Sequence, residues 1–157
     1  MVKVALLCSG STQPDKIFDE DIIVRVNKGF PRKDKRTDIW YFGAGTDYHP
    51  YLDRYNAKRV ISHALYTKGD WHENYPIDLY NELKNEMGCE PTAGMCILYY
   101  LSKQYDSINI YGMDSFDTGY FYKVDEINIG ITHDMVIEKK FIAELVKNNK
   151  HINQGRL

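Results

Sequence analysis

The sequence predicts an α/β fold, a mostly parallel sheet flanked by helices, and three observations carry that expectation. Short runs rich in β-branched and aromatic residues recur along the chain, each bounded by Gly, Pro, Asp or Ser. Apolar residues at helical spacing fill stretches between and after them. The runs are continuously apolar more than alternating, which is the pattern of strands covered on both faces. With 157 residues, 43% of them hydrophobic, the chain can bury one core, and a single Rossmann-like domain over residues 1–157 is expected.

The first strand candidate covers residues 2–8. Its apolar run is shorter than a signal sequence requires and passes directly into a Ser/Gly turn. Residues 22–27, 38–43, 59–63 and 108–113 are the remaining strand candidates. Leu79, Leu83 and Met87 follow the i, i+4, i+8 rule and predict a helix that Gly88 stops at C′. Further helices are expected over 95–103 and 135–147. Residues 67–77, with Trp71, His72, Tyr75 and Pro76, show neither period and are expected to be loop. The polar stretch 147–157 is expected to fray.

Composition excludes several functions. Twenty Lys and Arg against 22 Asp and Glu give a net charge of −2, with no basic face to neutralise a run of phosphates, so nucleic acid is not an expected partner. The local cluster Arg32, Lys33, Lys35, Arg36 is broken by Asp34 and reads as a solvated loop. No run approaches the roughly 18 apolar residues of a membrane span. Cys8, Cys89 and Cys96 are odd in number and lack metal-ligand spacing, as do His49, His63 and His72. Reduced thiols, a cytoplasmic location and no metal or cofactor are therefore expected.

Four segments carry chemistry. After the first strand, Cys8-Ser9-Gly10-Ser11-Thr12 is either an ordinary turn or one that lets a ligand approach backbone N–H groups and hydroxyls. Asp21-Ile22-Ile23-Val24-Arg25-Val26-Asn27-Lys28 ends a strand with an amide that can donate and accept, at the sheet edge where such folds bind ligands. Arg25 reads on its own as a structural ion-pair partner. Pro91-Thr92-Ala93-Gly94 opens a helix whose N-terminus suits a phosphate or carboxylate, or is simply capped into the core. Finally, Thr132-His133-Asp134-Met135-Val136-Ile137-Glu138 places an imidazole at a helix start with a carboxylate little more than a turn later.

In this order, the segments resemble the eukaryotic-type sialyltransferase family. Asp21 to Lys28 is similar to the D-x-V-I/L-R-x-N-K/R stretch of its large motif. Pro91-Thr92-Ala93-Gly94 followed by Ile108-Asn109-Ile110-Tyr111-Gly112-Met113 is similar to its small motif, P-S/T-x-G and then a strand ending Y-G-F/M. His133 and Glu138 reproduce the very small motif, H-x4-E. The resemblance implies a metal-independent, inverting transfer of sialic acid from CMP-sialic acid to a hydroxyl of a glycan acceptor. It implies donor-binding roles for Ser9, Gly10, Ser11, Asn27, Thr92, Ala93 and Gly94, with Ser9 standing where the family has Asn.

The same resemblance makes His133 the general base, a role its near-neutral ordinary pKa suits. Glu138 would support the helix or the imidazole, with Arg25 as a further supporting residue. The third motif's histidine has no counterpart, since the region reads Gly119-Tyr120-Phe121-Tyr122. Tyr120 and Tyr122 are then candidates to donate to the departing phosphate, or else pack as aromatics. Ala5 and Tyr105 stand where the family's disulfide cysteines align, so that bridge is not expected. The chain is shorter than typical family catalytic domains and resembles a short, anchorless form. A second expectation is a degenerate protein that binds CMP or a nucleotide sugar without transfer.

Overall fold

The computed structural model describes residues 1–8, 19–27, 36–43, 56–63, 72–113 and 133–154. Seven strands form one sheet: β1 (Lys3–Leu7), β2 (Ile22–Val26), β3 (Ile39–Phe42), β4 (Arg59–Ser62), β5 (Glu73–Asn74), β6 (Ser107–Tyr111) and β7 (Ile152–Gln154). Three helices are described, α1 (Ile77–Met87), α2 (Ala93–Ser102) and α3 (Met135–Asn148). The strand order is β5-β4-β3-β2-β1-β6-β7, and every pairing is parallel. The α/β class read from the sequence is the one observed.

Alternation along the strands divides the core into two faces. Val4, Leu6, Val24, Val26, Ile39 and Tyr41 face the helices and pack with Leu83 of α1, Met95 and Leu98 of α2, and Ile142 of α3. Ala5, Leu7 and Ile23 join Tyr111 on the second face, and Trp40 packs with Phe42 there. These side chains are buried as completely as those under the helices, which is why the strands read as unbroken apolar runs. Gly88 ends α1 in the left-handed region, φ 74°, and donates its N–H to the Lys84 carbonyl at 2.8 Å.

The strands are staggered so that the residues just beyond them stay tied to the sheet. Cys8 donates its N–H to the Tyr111 carbonyl at 2.8 Å, Asn27 to Tyr41 at 2.7 Å and His63 to Phe42 at 3.1 Å. Cys8, Asn27, Gly43 and His63 therefore form the rim of the sheet's C-terminal edge. At the opposite edge, Asp38 accepts from the Ile23 N–H at 2.9 Å and pairs with Lys58 at 2.7 Å and Arg36 at 3.0 Å, joining the starts of β2, β3 and β4.

Two expectations are corrected. Within the stretch read as loop, Glu73 and Asn74 pair with β4; both are exposed and polar, so no apolar signal marks them. Within the stretch expected to fray, Ile152 is 1% exposed and β7 pairs with β6 over Ile108, Asn109 and Ile110. A strand with one buried residue has no periodicity to detect. Truncating that residue tests whether it anchors the edge. Ile152→Ala is expected to cost roughly 2 to 5 kcal/mol in urea unfolding, whereas Val136→Ala, at a position 79% exposed, should change stability by less than about 0.5 kcal/mol.

Candidate functional site

The chain lays β1 to β5 outward in one direction, then returns to place β6 on the other side of β1. The strand order reverses between β1 and β6, and in open parallel sheets ligands bind outside the C-terminal strand ends at such a reversal. The N-terminus of α2 lies there. A Cβ on Gly94 would sit 3.6 Å from the Cys8 Sγ at the end of β1 and 3.4 Å from the Met113 Cε beyond β6. A Cβ on Gly43 would lie 3.0 Å from that of Ala93 and 3.4 Å from the Asn27 Oδ1. Glycine at 43 thus allows β2, β3 and α2 to approach one another.

Asn27 is the most tightly specified residue of the rim. It leaves β2 with φ 50°, a left-handed conformation that asparagine tolerates better than most residues. Its backbone N–H is tied to Tyr41, and its carbonyl accepts from the Trp40 Nε1 at 2.8 Å. Its side-chain Oδ1 accepts from the Gly43 N–H at 2.6 Å. A backbone N–H can only donate, so this contact assigns the amide oxygen to Gly43. The Nδ2 group is left as the donor that Asn27 can offer to a ligand acceptor.

Thr92 caps α2, its hydroxyl accepting from the Met95 N–H at 3.2 Å. The same hydroxyl donates to the Glu138 Oε1 at 2.7 Å, and the Thr92 N–H reaches Oε2 at 3.2 Å. Glu138, 3% exposed on the first turn of α3, therefore braces the start of α2. Burial pushes its carboxyl above the usual range, partly offset by the two Thr92 hydrogen bonds and by His133. Ala93 and Gly94 are the first residues of α2, where N–H groups have no partner within the helix and the dipole favours negative charge.

His133 precedes Asp134, which caps α3 by accepting from the N–H groups of Val136 and Ile137, each at 3.0 Å. The His133 Nδ1 lies 2.9 Å from the Glu90 carbonyl oxygen. A carbonyl only accepts, so Nδ1 carries the proton and a neutral ring keeps its lone pair on Nε2. An imidazole held in that tautomer has the form of a general base.

Arg25 lies elsewhere. It is 1% exposed on the second face, and donates through Nε to the Thr37 hydroxyl at 2.9 Å and through a terminal nitrogen to the Arg36 carbonyl at 3.2 Å. These bonds hold the approach to β3. Ser9, Gly10, Ser11, Tyr120 and Tyr122 lie outside the described residues. Gly43 and Glu90 were not singled out from the sequence; a glycine closing an aromatic strand and a glutamate before Pro91 are the only signals there. None of the three cysteines is in a disulfide; Cys8 and Cys96 are buried and Cys89 half-buried. Burial pushes the Cys96 thiol up to about 12. Among the described residues no three His, Cys, Asp or Glu side chains cluster as metal ligands, and no helix is long and apolar enough to cross a membrane.

Solved structures share this arrangement of strands and helices. The chain superposes on the sialyltransferase Cst-II in complex with CMP with a TM-score of 0.68 at 13% identity, over 97% of this chain and 80% of that one. The α/β fold is the one these structures share. A mammalian sialyltransferase matches with a TM-score of 0.70, again at 13% identity, over 99% of this chain and 70% of the other. No protein-family model matches the sequence, and no curated protein matches it.

The Thr92–Glu138 contact predicts a pH signature. The folded chain holds the Glu138 proton more tightly than the unfolded chain does, so this group's contribution to stability falls as pH rises from 4.5 through its raised folded value. Glu138→Gln supplies the neutral group at every pH. Wild type should therefore lose stability relative to the glutamine variant across that interval in urea titrations, and a difference that stays flat with pH contradicts the assignment.

Proposed function

We propose that this protein transfers sialic acid, or a closely related acidic sugar, from its CMP conjugate to a hydroxyl of a glycan, with inversion at the anomeric carbon. One observation carries the reading: the start of α2 spans from the reversal between β1 and β6, where Gly94 lies, to Gly43 and the Asn27 amide at the ends of β3 and β2, in a fold shared with a CMP-bound sialyltransferase. Hydrogen-bond donors gathered at one point of a sheet edge suit an anionic, acceptor-rich group such as a nucleoside monophosphate.

In this reading the His133 Nε2 removes the acceptor hydroxyl's proton as its oxygen attacks the anomeric carbon. The bond from that carbon to the phosphate oxygen breaks, and CMP departs with the electron pair. The Ala93 and Gly94 N–H groups and the Asn27 Nδ2 bind the phosphate and offset the charge it gains. Donors from the protein supply this compensation, and the scheme uses no metal. Ser9, Gly10 and Ser11 complete the donor site, and the Tyr120 and Tyr122 hydroxyls donate to the leaving group. Glu138 acts through Thr92, holding the helix N-terminus in place.

Thermal shift separates the possible outcomes. CMP at a hundred times its Kd should stabilise the fold by about 2.7 kcal/mol, raising Tm by roughly 5 to 10 °C, while UDP and GDP at equal concentration should not. Transfer from CMP-sialic acid should fall by roughly 10² to 10⁴ in His133→Ala with the CMP shift retained. Selective CMP binding without transfer in the wild type would identify a nucleotide-sugar binding protein instead. No selective response to cytidine nucleotides would overturn both readings.

A further inference from the structure

The oxygen that takes the His133 proton belongs to the connection between α1 and α2, and that connection is gripped from both sides. Pro91 has a restricted φ and disfavours a helical conformation at Glu90, and Thr92 is held by Glu138. On the α1 side, the Glu90 carboxylate receives the Tyr80 hydroxyl on Oε2 and the Lys84 ammonium on Oε1. Tyr80 and Lys84 are four residues apart and share one face of α1. Lys84 first, and then Tyr80, hold the Glu90 carboxyl below the usual carboxylate range, keeping it charged and attractive to both donors.

The Tyr80 anchor is itself backed by packed rings. Its ring meets the His63 imidazole edge-on with centroids 4.9 Å apart, and the His63 Nδ1 lies 3.2 Å from the Tyr41 hydroxyl. Glu90 is thus tied through Tyr80 to the ends of β3 and β4, and through its own carbonyl to His133 at the start of α3.

We propose that Glu90 is a positioning residue for His133: its carboxylate, held by Tyr80 and Lys84, fixes its own carbonyl, which keeps the imidazole proton on Nδ1 and the lone pair on Nε2. The catalytic consequence rests on reading His133 as the base. The structural content does not. A staple that merely joined α1 to α2 would stabilise the fold without selecting a tautomer.

Ring-nitrogen chemical shifts of His133, recorded by NMR at a pH where the ring is neutral, show which nitrogen bears the proton. Wild type is expected to carry it on Nδ1, opposite to the form water favours. Removing both grips in the double variant Tyr80→Phe/Lys84→Met should shift the ring toward the Nε2–H form, while Lys84→Arg should keep the wild-type tautomer. In a transfer assay the double variant should lose about tenfold in kcat with the donor KM unchanged.

A wild-type ring protonated on Nε2, or ring shifts identical in wild type and the double variant, overturns the inference. The ring measurement needs no substrate, so an inactive chain whose tautomer still responds supports the positioning role and sinks only the transfer reading. If the double variant does not fold, Lys84→Met alone, at a side chain 44% exposed, removes one of the two grips and should move the ring shifts in the same direction by less, and shifts unchanged from wild type overturn the inference.

Discussion

The contact between Thr92 and Glu138 is the one on which the site depends. A buried carboxyl from α3 takes both the N–H and the hydroxyl of the residue that caps α2, across 46 positions of sequence. Leaving those two donors unmet inside the fold would cost about 1 to 3 kcal/mol for each buried group. The pairing therefore fixes where α2 begins relative to the ends of β1 and β6. It also brings the start of α3, and His133 with it, against the Glu90 carbonyl.

Around that contact the sheet edge divides its labour. Backbone and amide donors collect around the start of α2, from the reversal between β1 and β6 to the ends of β2 and β3, where the Asn27 oxygen is already committed to Gly43. What remains there is donor-rich, so electrostatics favours an anion without demanding a large net positive charge on the chain. The imidazole directs its Nδ1 proton to the Glu90 carbonyl.

The sheet was legible wherever burial was continuous. Residues 2–8, 22–27 and 38–43 announced strands because β1, β2 and β3 are covered on both faces, residues 59–63 and 108–113 through short β-branched runs that are only partly buried, and Gly88 marked the end of α1 because only a left-handed residue closes it there. β5 and β7 were not legible, since two exposed polar residues and a single buried Ile152 carry no period; their pairing is a property of the assembled sheet. In the site, Asn27 and Thr92-Ala93-Gly94 could be picked out because strand ends and small-residue helix starts have local signatures. The spacing of His133 and Glu138 was visible too, but Glu138 is turned to Thr92, and Glu90 acts through its backbone. Neither partnership leaves a mark in local sequence, because both are made across the fold.

In the proposed transfer the donors around the start of α2 form the nucleotide site. A crystal structure of the protein with CMP tests it most directly. The phosphate is expected on the N–H groups of Ala93 and Gly94 and within hydrogen-bond reach of the Asn27 Nδ2, with Gly43 beneath the nucleotide. CMP bound away from the start of α2, or an N-terminus left unliganded at saturating CMP, would contradict it.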